Sequence, residues 1–415
     1  MSRRASLVLR LLSLVTIVVL AGPALFAQGR DQELSQLKLG FPLAFGFAPP
    51  GARATGLGGA FIGLADDATA AAANPAGLTI LVEPEISAHL RFSRVDLQQP
   101  GIFEDLQLSS ERTTVPSFFS FVIPVRRAAF SVFYQQEANL NASFREPTEG
   151  RLDLGPFDDP TDRFFFPGSI TFLYTELDEV VLDQIGVSGA VKLTPEISVG
   201  GSIRFARADF QVRTVGDFDQ ASVRARFPNY FSREFQVSSS DRDTTFNFGV
   251  LVKPSERFSF GAVYRDGGKF ELPTRVTETF IGQVDSTAFP TRFAVPDSYG
   301  FGVAVRPTER LTLALDVARV EYRDLDPDEQ ALSNATEVHA GVEYVFLLGS
   351  SATPFSLRGG FFNDPDHDDF PEIKSGQVHG TAGFGFVLAR RFQVDWALNL
   401  SDRIKESLLS FVVRF

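Results

Sequence analysis

Apolar and polar residues alternate with a period of two from residue 84 to the C-terminus of this 415-residue chain. The stretch 85–92 reads Glu-Ile-Ser-Ala-His-Leu-Arg-Phe, and the stretch 311–317 reads Leu-Thr-Leu-Ala-Leu-Asp-Val. A period of two places successive side chains on opposite faces of an extended strand. The pattern therefore predicts an all-β protein in which every strand has one apolar and one polar face.

The alternation divides into fourteen predicted strands, most of them 11 residues or longer. They cover residues 84–96, 113–124, 126–139, 177–194, 196–213, 241–254, 256–270, 293–306, 309–321, 336–348, 353–363, 376–389, 390–401 and 405–415. Strands of soluble proteins average about 5–6 residues, whereas a tilted strand of about 9–11 residues crosses a bilayer. The strand lengths therefore favour a 14-stranded antiparallel transmembrane β-barrel.

Short and long connections alternate between these strands. Arg126-Arg127 and Pro254-Ser255 are short connections. The long, polar connections are 97–112, 140–176, 214–240, 271–292, 322–335 and 364–375. Outer-membrane barrels have this asymmetry, with short periplasmic turns and long external loops. It places the C-terminal Phe415 on the periplasmic side, where we expect it to engage the barrel-assembly machinery.

The polar face of the predicted strands carries mainly Ser, Gly, Ala, Thr and Asn with isolated charges. Such a face suits a narrow lumen, while the apolar face would contact outer-membrane lipid. Many of the 43 Phe residues, among them Phe130, Phe248 and Phe301, fall on the apolar face. Alternation alone does not determine which face is wet, so a soluble, secreted all-β protein is the alternative.

The first 27 residues have the features of a secretory signal peptide. Arg3, Arg4 and Arg10 precede an apolar run over residues 11–22, and Ala27 is a small residue suited to cleavage. That run is too short for a spanning helix of about 20 residues. We therefore expect export to the outer membrane of a Gram-negative-type bacterium. The chain has no Cys and a formal net charge of -12, which excludes thiol chemistry and argues against a nucleic-acid partner.

The segment before the alternating part is rich in small residues. It predicts a hatch domain over residues 28–82 that lies in the lumen of a barrel formed by residues 83–415. Short helices are expected near 55–62 and 67–73. Pro75 disfavours the α conformation at Asn74, so the second helix should stop there.

Three motifs in this segment carry a family resemblance. They are Gly-Leu-Gly at 56–58, Ala-Asp-Asp-Ala at 65–68 and Asn-Pro-Ala-Gly-Leu at 74–78. In order and spacing they resemble the hatch of the FadL/TodX-type outer-membrane transporters of long-chain fatty acids and hydrocarbons. The resemblance implies a barrel plugged by the hatch, passive uptake of a hydrophobic small molecule, and an opening to the lipid at a kinked strand.

The resemblance also suggests where a ligand would bind. It implies ligand contacts between hatch and wall at Phe61, Asn74, Pro75 and Leu78. It places external capture in the loops 214–240 and 271–292. Related barrels with the same hatch serve secreted proteins, so the alternative function is an outer-membrane anchor or shuttle partner for such proteins.

A carboxylate-headed ligand would need a cation in the lumen, because an unpaired charge in a dry channel is costly. The basic residues with inward parity are Arg91, Lys192, Arg204, Arg265, Arg306, Arg358 and Arg414. Arg204 and Arg265 are the preferred candidates for ligand contact. The alternative is that these cations form structural ion pairs with Glu85, Asp316, Glu337, Glu343 and Asp395.

Gln135 and Gln136 interrupt the apolar alternation of the third predicted strand. Polar residues at wall depth would tolerate a local parting of the ladder, so they mark a candidate lateral opening. The alternative is that the strand has left the bilayer at this point.

Other motifs predict no catalytic chemistry. Asp66-Asp67 could bind a cation, but capping of a short helix is favoured. The run 366–369, Asp-His-Asp-Asp, could ligate a metal, but a solvated loop tip is favoured. No Ser–His–Asp spacing or nucleotide-binding fingerprint is recognisable. We therefore expect no enzyme, no cofactor, no metal site, and a monomer.

Overall fold

The structure is a computed structural model that describes residues 50–100, 106–150, 153–154, 164–165, 170–218, 233–280, 283–325, 332–349, 353–365 and 376–415. The expected signal peptide and the first part of the expected hatch lie outside these ranges.

One antiparallel sheet closes into a barrel. It contains sixteen hydrogen-bonded segments. Four of these segments form two strands, each interrupted by three residues, so the barrel has fourteen strands (16 − 2). The strands are β1 (Glu85–Pro100), β2 (Leu106–Val125), β3 (Ala128–Gly150), β4 (Ile170–Lys192), β5 (Ile197–Phe218), β6 (Arg233–Ser255), β7 (Phe258–Arg265 and Lys269–Phe280), β8 (Gln283–Ala294 and Ser298–Thr308), β9 (Leu311–Val320), β10 (Ala335–Leu348), β11 (Thr353–Asp364), β12 (Gln377–Leu388), β13 (Phe392–Leu400) and β14 (Ile404–Arg414). The first strand pairs with the last, which confirms the predicted 14-stranded barrel.

Several predicted loops are wrong in part, because β1 to β6 are longer than predicted. These strands have 16 to 23 residues. Parts of the expected loops 97–112, 140–176 and 214–240 belong to them, and most of 271–292 forms the outer parts of β7 and β8. The ladder continues there although the apolar alternation has ended, since backbone pairing does not require an apolar face.

The two interruptions correct the predicted strands 256–270 and 293–306. The chain leaves the ladder at Asp266–Gly268 and again at Val295–Asp297. Gly268 has φ 107, a conformation that favours glycine. Pro296 has no N–H to donate to a ladder. Each predicted strand is therefore divided at the residues least suited to continuous pairing.

The wall is apolar outside and mainly polar inside. Phe130 is 57% exposed and Phe301 is 64% exposed on the outer surface. Inward positions such as Ser120, Ser188 and Asn247 are buried. This arrangement suits a barrel surrounded by lipid and contradicts the soluble alternative, in which the apolar face would point inward. We call the two ends of the barrel the turn end and the loop end, after the lengths of their connections.

The hatch, here residues 50–82, contains α1 (Ala52–Gly56), α2 (Ala70–Ala73) and a 3₁₀ helix (Pro75–Ile80). The predicted helix 55–62 is wrong, because Gly58 and Gly59 adopt positive φ values of 65 and 76 that end the helix. The second helix begins at Ala70, later than predicted, and ends before Asn74 as expected. No helix in the described ranges is long and apolar enough to span a membrane.

Candidate functional site

The hatch backbone touches the barrel wall at glycines. A Cβ atom added to Gly200 would lie 2.5 Å from the carbonyl carbon of Pro75. A Cβ added to Gly360 would lie 2.5 Å from that of Leu57. Real Cβ atoms do not approach backbone this closely, so only glycine allows the hatch to sit against the wall at these positions. The hatch therefore obstructs the lumen through direct backbone contact.

Directional hydrogen bonds hold the hatch in this position. The Asp316 carboxylate on β9 accepts from the backbone N–H groups of Phe61 and Ile62, both at 2.6 Å. The side-chain amide of Asn74 donates to the Ile62 carbonyl at 2.9 Å and to the Val250 carbonyl of β6 at 3.2 Å. Hydrogen bonds to an ionised acceptor are the stronger kind, so Asp316 is a principal anchor of the hatch.

Ion pairs form between hatch and wall, and also within the wall beside the hatch. Arg53 of α1 pairs with Asp66 and, at 3.2 Å, with Glu343 of β10. Arg358 of β11 contacts both Glu343 and Asp395 at 2.6 Å. For Arg358, these contacts are the structural ion pairs of the alternative expectation.

The predicted hatch contacts lie in two settings. Phe61 and Leu78 are fully buried in one apolar cluster with wall residues such as Phe118 and Phe133. Asn74 and Pro75 lie against β5 and β6 instead, where Asn74 is hydrogen-bonded to the wall. All four residues are therefore enclosed between hatch and wall.

The Asp66-Asp67 pair has partners within the protein. Asp66 pairs with Arg53 and, at 2.8 Å, with Arg306 of β8. Asp67 accepts from the backbone N–H of Thr69 at 2.9 Å, just before α2, while Thr69 itself is the N-cap residue. Burial raises the pKa of the Asp67 carboxyl, and Arg53 opposes that rise. No group of three or more potential metal ligands is present in the described ranges, and the run 366–369 lies outside them.

The inward histidines also have structural contacts. Nδ1 of His339 lies 2.8 Å from the Gly58 carbonyl oxygen, and its Nε2 lies 3.0 Å from the Glu337 carboxylate. The ring of Phe362 stacks on His379 at 4.2 Å and on His339 at 5.2 Å. His339 therefore connects the hatch to β10.

Arg204 and Arg265 lie close together above the hatch, on the side of the loop end. Arg204 is 2% exposed, and its guanidinium donates to the carbonyl of Phe246 at 3.3 Å and to that of Asp266. Its Nε has no hydrogen-bond partner among the residues described. The guanidinium of Arg265 lies 3.9 Å from Glu137 on β3, on another part of the wall. These side chains form a polar layer in the lumen.

Gln135 and Gln136 lie at the same level. The side chain of Gln135 accepts from Gln184 of β4 at 3.1 Å, and the Gln136 carbonyl accepts from Arg91 at 2.8 Å. The register between β2 and β3 runs from Val125–Ala128 to Phe118–Gln135. Beyond Gln135, in the described part of β3, the register continues with β4 and shifts between Gln136 and Ala138.

The outer parts of β7 and β8 form a hairpin that bends into the lumen. We call this hairpin, Lys269–Phe280 with Gln283–Ala294, the cap hairpin. Backbone pairing between β6 and β7 covers residues 247–255 and residues 234–238 of β6, with a gap between them. In this gap the side chains of two aspartates of β6 accept hydrogen bonds from backbone N–H groups of β7, Asp243 from Lys269 and Asp241 from Glu271, both at 2.7 Å. Side chains thus replace part of the ladder beside the cap hairpin.

The cap hairpin covers the lumen with apolar side chains. A buried apolar cluster joins the cap hairpin to β4 and β5, which are not its neighbours in the barrel. The buried members are Val180, Leu182, Ala208, Phe210, Phe270, Leu272 and Val295, and the partly buried Val95, Ala138, Ala206 and Phe293 pack against them. The rings of Phe210 and Phe293 are 4.6 Å apart. We call this set the mouth cluster. This cluster was not predicted from the sequence, although Val180, Leu182, Ala208 and Phe210 occupy inward positions of the predicted strands 177–194 and 196–213.

Solved structures with a similar fold include a FadL homologue and two toluene transporters. A Pseudomonas aeruginosa FadL homologue is 12% identical, with 90% of this chain and 99% of that chain covered and a TM-score of 0.65. The Pseudomonas putida toluene transporter TodX is 14% identical, with 89% and 99% covered and a TM-score of 0.64. The Ralstonia pickettii toluene transporter TbuX is 12% identical, with 89% and 100% covered and a TM-score of 0.60.

Comparison of the sequence alone finds no relative. The chain matches no family model and no curated protein sequence. At identities of 12 to 14% the structural likeness concerns the fold. The fold is nevertheless shared over nearly the whole of each chain. The protein therefore has the barrel fold of the FadL homologue and of the TodX and TbuX toluene transporters.

Proposed function

We propose that this protein is an outer-membrane channel for the passive uptake of hydrophobic small molecules, either long-chain fatty acids or hydrocarbons. The mouth cluster is the observation that carries the proposal, because it places apolar side chains inside the loop end of the barrel, above the polar layer that contains Arg204 and Arg265. The similar structures support it, since TodX and TbuX are toluene transporters.

The ligand would first exchange with the mouth cluster. Burial of apolar surface is non-directional, so a hydrophobic molecule can replace the side chains of the cap hairpin with little loss of specific contacts. Below the cluster, a carboxylate head group would meet Arg204, whose Nε is without a hydrogen-bond partner in the part of the chain described. We propose Arg204 and Arg265 as the residues that a charged head group contacts.

Passage further into the lumen would require the hatch to move. Phe61, Asn74, Pro75 and Leu78 remain proposed ligand contacts, and each is buried between hatch and wall. We propose Gln135 and Gln136 as the site of a lateral opening. The end of the β2–β3 register at Phe118–Gln135 supports this, because the strands can part there without breaking further pairs.

The remaining features of the proposal follow from the sequence. We propose that residues 1–27 direct export, that residues 28–82 form the hatch domain, and that residues 83–415 form the barrel. The protein would act as a monomer without enzymatic activity, and Phe415 would engage the barrel-assembly machinery in the outer membrane.

Complementation tests the proposal. The full chain is expressed in a Gram-negative strain that lacks its own long-chain fatty-acid uptake, and uptake of labelled oleate and toluene is measured. We expect the wild type to restore uptake of at least one of them. We expect Leu272→Asp to lose it, because the charge disrupts the mouth cluster, whereas Glu271→Asp on the exposed face of the same hairpin retains it.

A correctly assembled barrel that gives no uptake above the empty vector would contradict the proposal. Co-purification of a stoichiometric exported polypeptide in that case would favour the alternative, an anchor or shuttle partner for secreted proteins.

A further inference from the structure

An apolar groove crosses the outer surface of the barrel from β3 to β8. Its volume is about 940 Å³. Two adjacent rows of paired residues form it, namely Phe130, Gly189, Gly201, Phe248, Tyr264 and Tyr299 in one row and Ala128, Val191, Val199, Val250, Ala262 and Phe301 in the other. The groove is therefore continuous over six strands.

Glycines make the floor of the groove. Gly189 and Gly201 face outward without side chains, beside the rings of Phe130 and Phe248. A Cβ added to Gly189 would lie 3.7 Å from the Phe130 ring, and one added to Gly201 would lie 3.4 Å from the Phe248 ring. Other outward positions carry large side chains, such as Leu315 and Val317 on β9. The result is a depression with aromatic sides rather than an even apolar belt.

The groove begins beside two cations. Ala128 lies directly after the Arg126-Arg127 turn, in which both side chains are exposed at the turn end. Neither guanidinium has a carboxylate partner among the described residues. Guanidinium groups bind phosphate oxygens in a bidentate way. At the other end of the groove, the Tyr264 hydroxyl donates to Asp297 at 2.6 Å, so the apolar surface ends there.

We propose that this groove binds one anionic phospholipid, with an acyl chain along the glycine floor and the phosphate on Arg126 and Arg127. The apolar groove faces the bilayer, where acyl chains are the available occupants. The charge at its turn end selects an anionic head group in the leaflet on that side. The site lies on the outside of the wall, so it goes beyond the uptake function and does not depend on the lumen.

Native mass spectrometry of the purified full chain with added phosphatidylglycerol or phosphatidylcholine tests the site. We expect one phosphatidylglycerol per barrel to stay bound in preference to phosphatidylcholine. Arg126→Gln with Arg127→Gln should weaken that binding by about tenfold or more, because two charge-assisted contacts are lost. Gly189→Leu should also weaken it by filling the floor.

Two matched controls separate the site from general effects. Arg390→Gln with Arg391→Gln removes the same charge from another exposed turn at the same end and should leave the binding unchanged. Gly380→Leu adds the same side chain at an outward glycine with open space around it and should also have no effect. Equal binding of both lipids, equal loss in the control variants, or a stable dimer in place of bound lipid would overturn the proposal.

Discussion

The hatch and the cap hairpin both fill the lumen, but different forces hold them. The hatch has its own apolar cluster with the wall, but hydrogen bonds and close backbone contacts, such as those of Asp316 and Gly360, also fix its position. The cap hairpin is held by the apolar mouth cluster and by aspartates that replace ladder bonds. Directional contacts allow one position, whereas apolar contacts tolerate exchange with a ligand. Of the two closures, the cap hairpin is therefore the one that can move more easily.

The two closures require different residue types in the sequence. The hatch needs glycine at wall positions where its backbone touches the barrel. The cap hairpin needs apolar residues at inward positions and a break in each strand, at Asp266–Gly268 and Val295–Asp297. Substitutions can therefore loosen one closure and leave the other intact.

The largest effect is expected from closing the space between wall and hatch. Gly360→Val would place a Cβ 2.5 Å from the Leu57 carbonyl carbon, and we expect it to destabilise hatch docking by about 3 kcal/mol, the upper end of overpacking costs. Single-channel conductance should rise, and hydrogen exchange of hatch amides should become faster.

The adjacent glycine provides the control for that variant. A Cβ on Gly359 would have its nearest neighbour at 4.0 Å, so Gly359→Val should keep the wild-type conductance. Equal conductance in the two variants would show that close docking at this glycine does not hold the hatch.

A smaller effect is expected at the cap hairpin. Leu272→Ala removes a buried side chain from the mouth cluster and should destabilise the closed hairpin by about 2 kcal/mol, the lower end for core truncations because the hairpin can relax. Hydrogen exchange in Lys269–Phe280 should become faster, while exchange in the hatch should stay unchanged. Glu271→Ala, on the exposed face, is the control. Coupled acceleration in the hatch would contradict independent closures.

The smallest effect is expected at the side-chain contacts beside the cap hairpin. Asp243→Asn keeps an acceptor for the Lys269 N–H but removes the charge, and we expect a loss of about 1 kcal/mol. Exchange of the Lys269 amide should become faster by less than in Leu272→Ala. An effect larger than that of Leu272→Ala would show that the aspartates, not the mouth cluster, hold the hairpin.

The sequence predicted the barrel well because the period of two reports directly on the faces of a strand. The number of strands and the outward positions of Phe130, Phe248 and Phe301 are confirmed. The breaks in β7 and β8 were not predicted, although Gly267-Gly268 and Pro296 are typical signals of an interrupted strand.

The side-chain contacts inside the lumen could not be predicted from the sequence, because they join residues far apart in the chain. Asp316 was considered only as an ion-pair partner of inward cations, but its hydrogen bonds go to hatch N–H groups at Phe61 and Ile62. No pattern in β9 indicates that partner. The inward bend of the cap hairpin was equally hidden, since it depends on packing between Leu272 and strands that are not its neighbours.

The most direct test of the proposed uptake path is to cross-link the cap hairpin to the barrel wall, so that the mouth cluster cannot open. The chain has no Cys, so a reducible bifunctional thiol reagent can link Phe210→Cys of β5 to Phe293→Cys of the cap hairpin, two positions whose native rings are 4.6 Å apart. Oleate or toluene uptake should fall to the level of cells without the protein and return after reduction. The same reagent applied to Leu313→Cys with Val342→Cys, which lie opposite each other on the outside of β9 and β10, should have no effect. Unchanged uptake by the locked protein would contradict passage of the ligand through the mouth cluster.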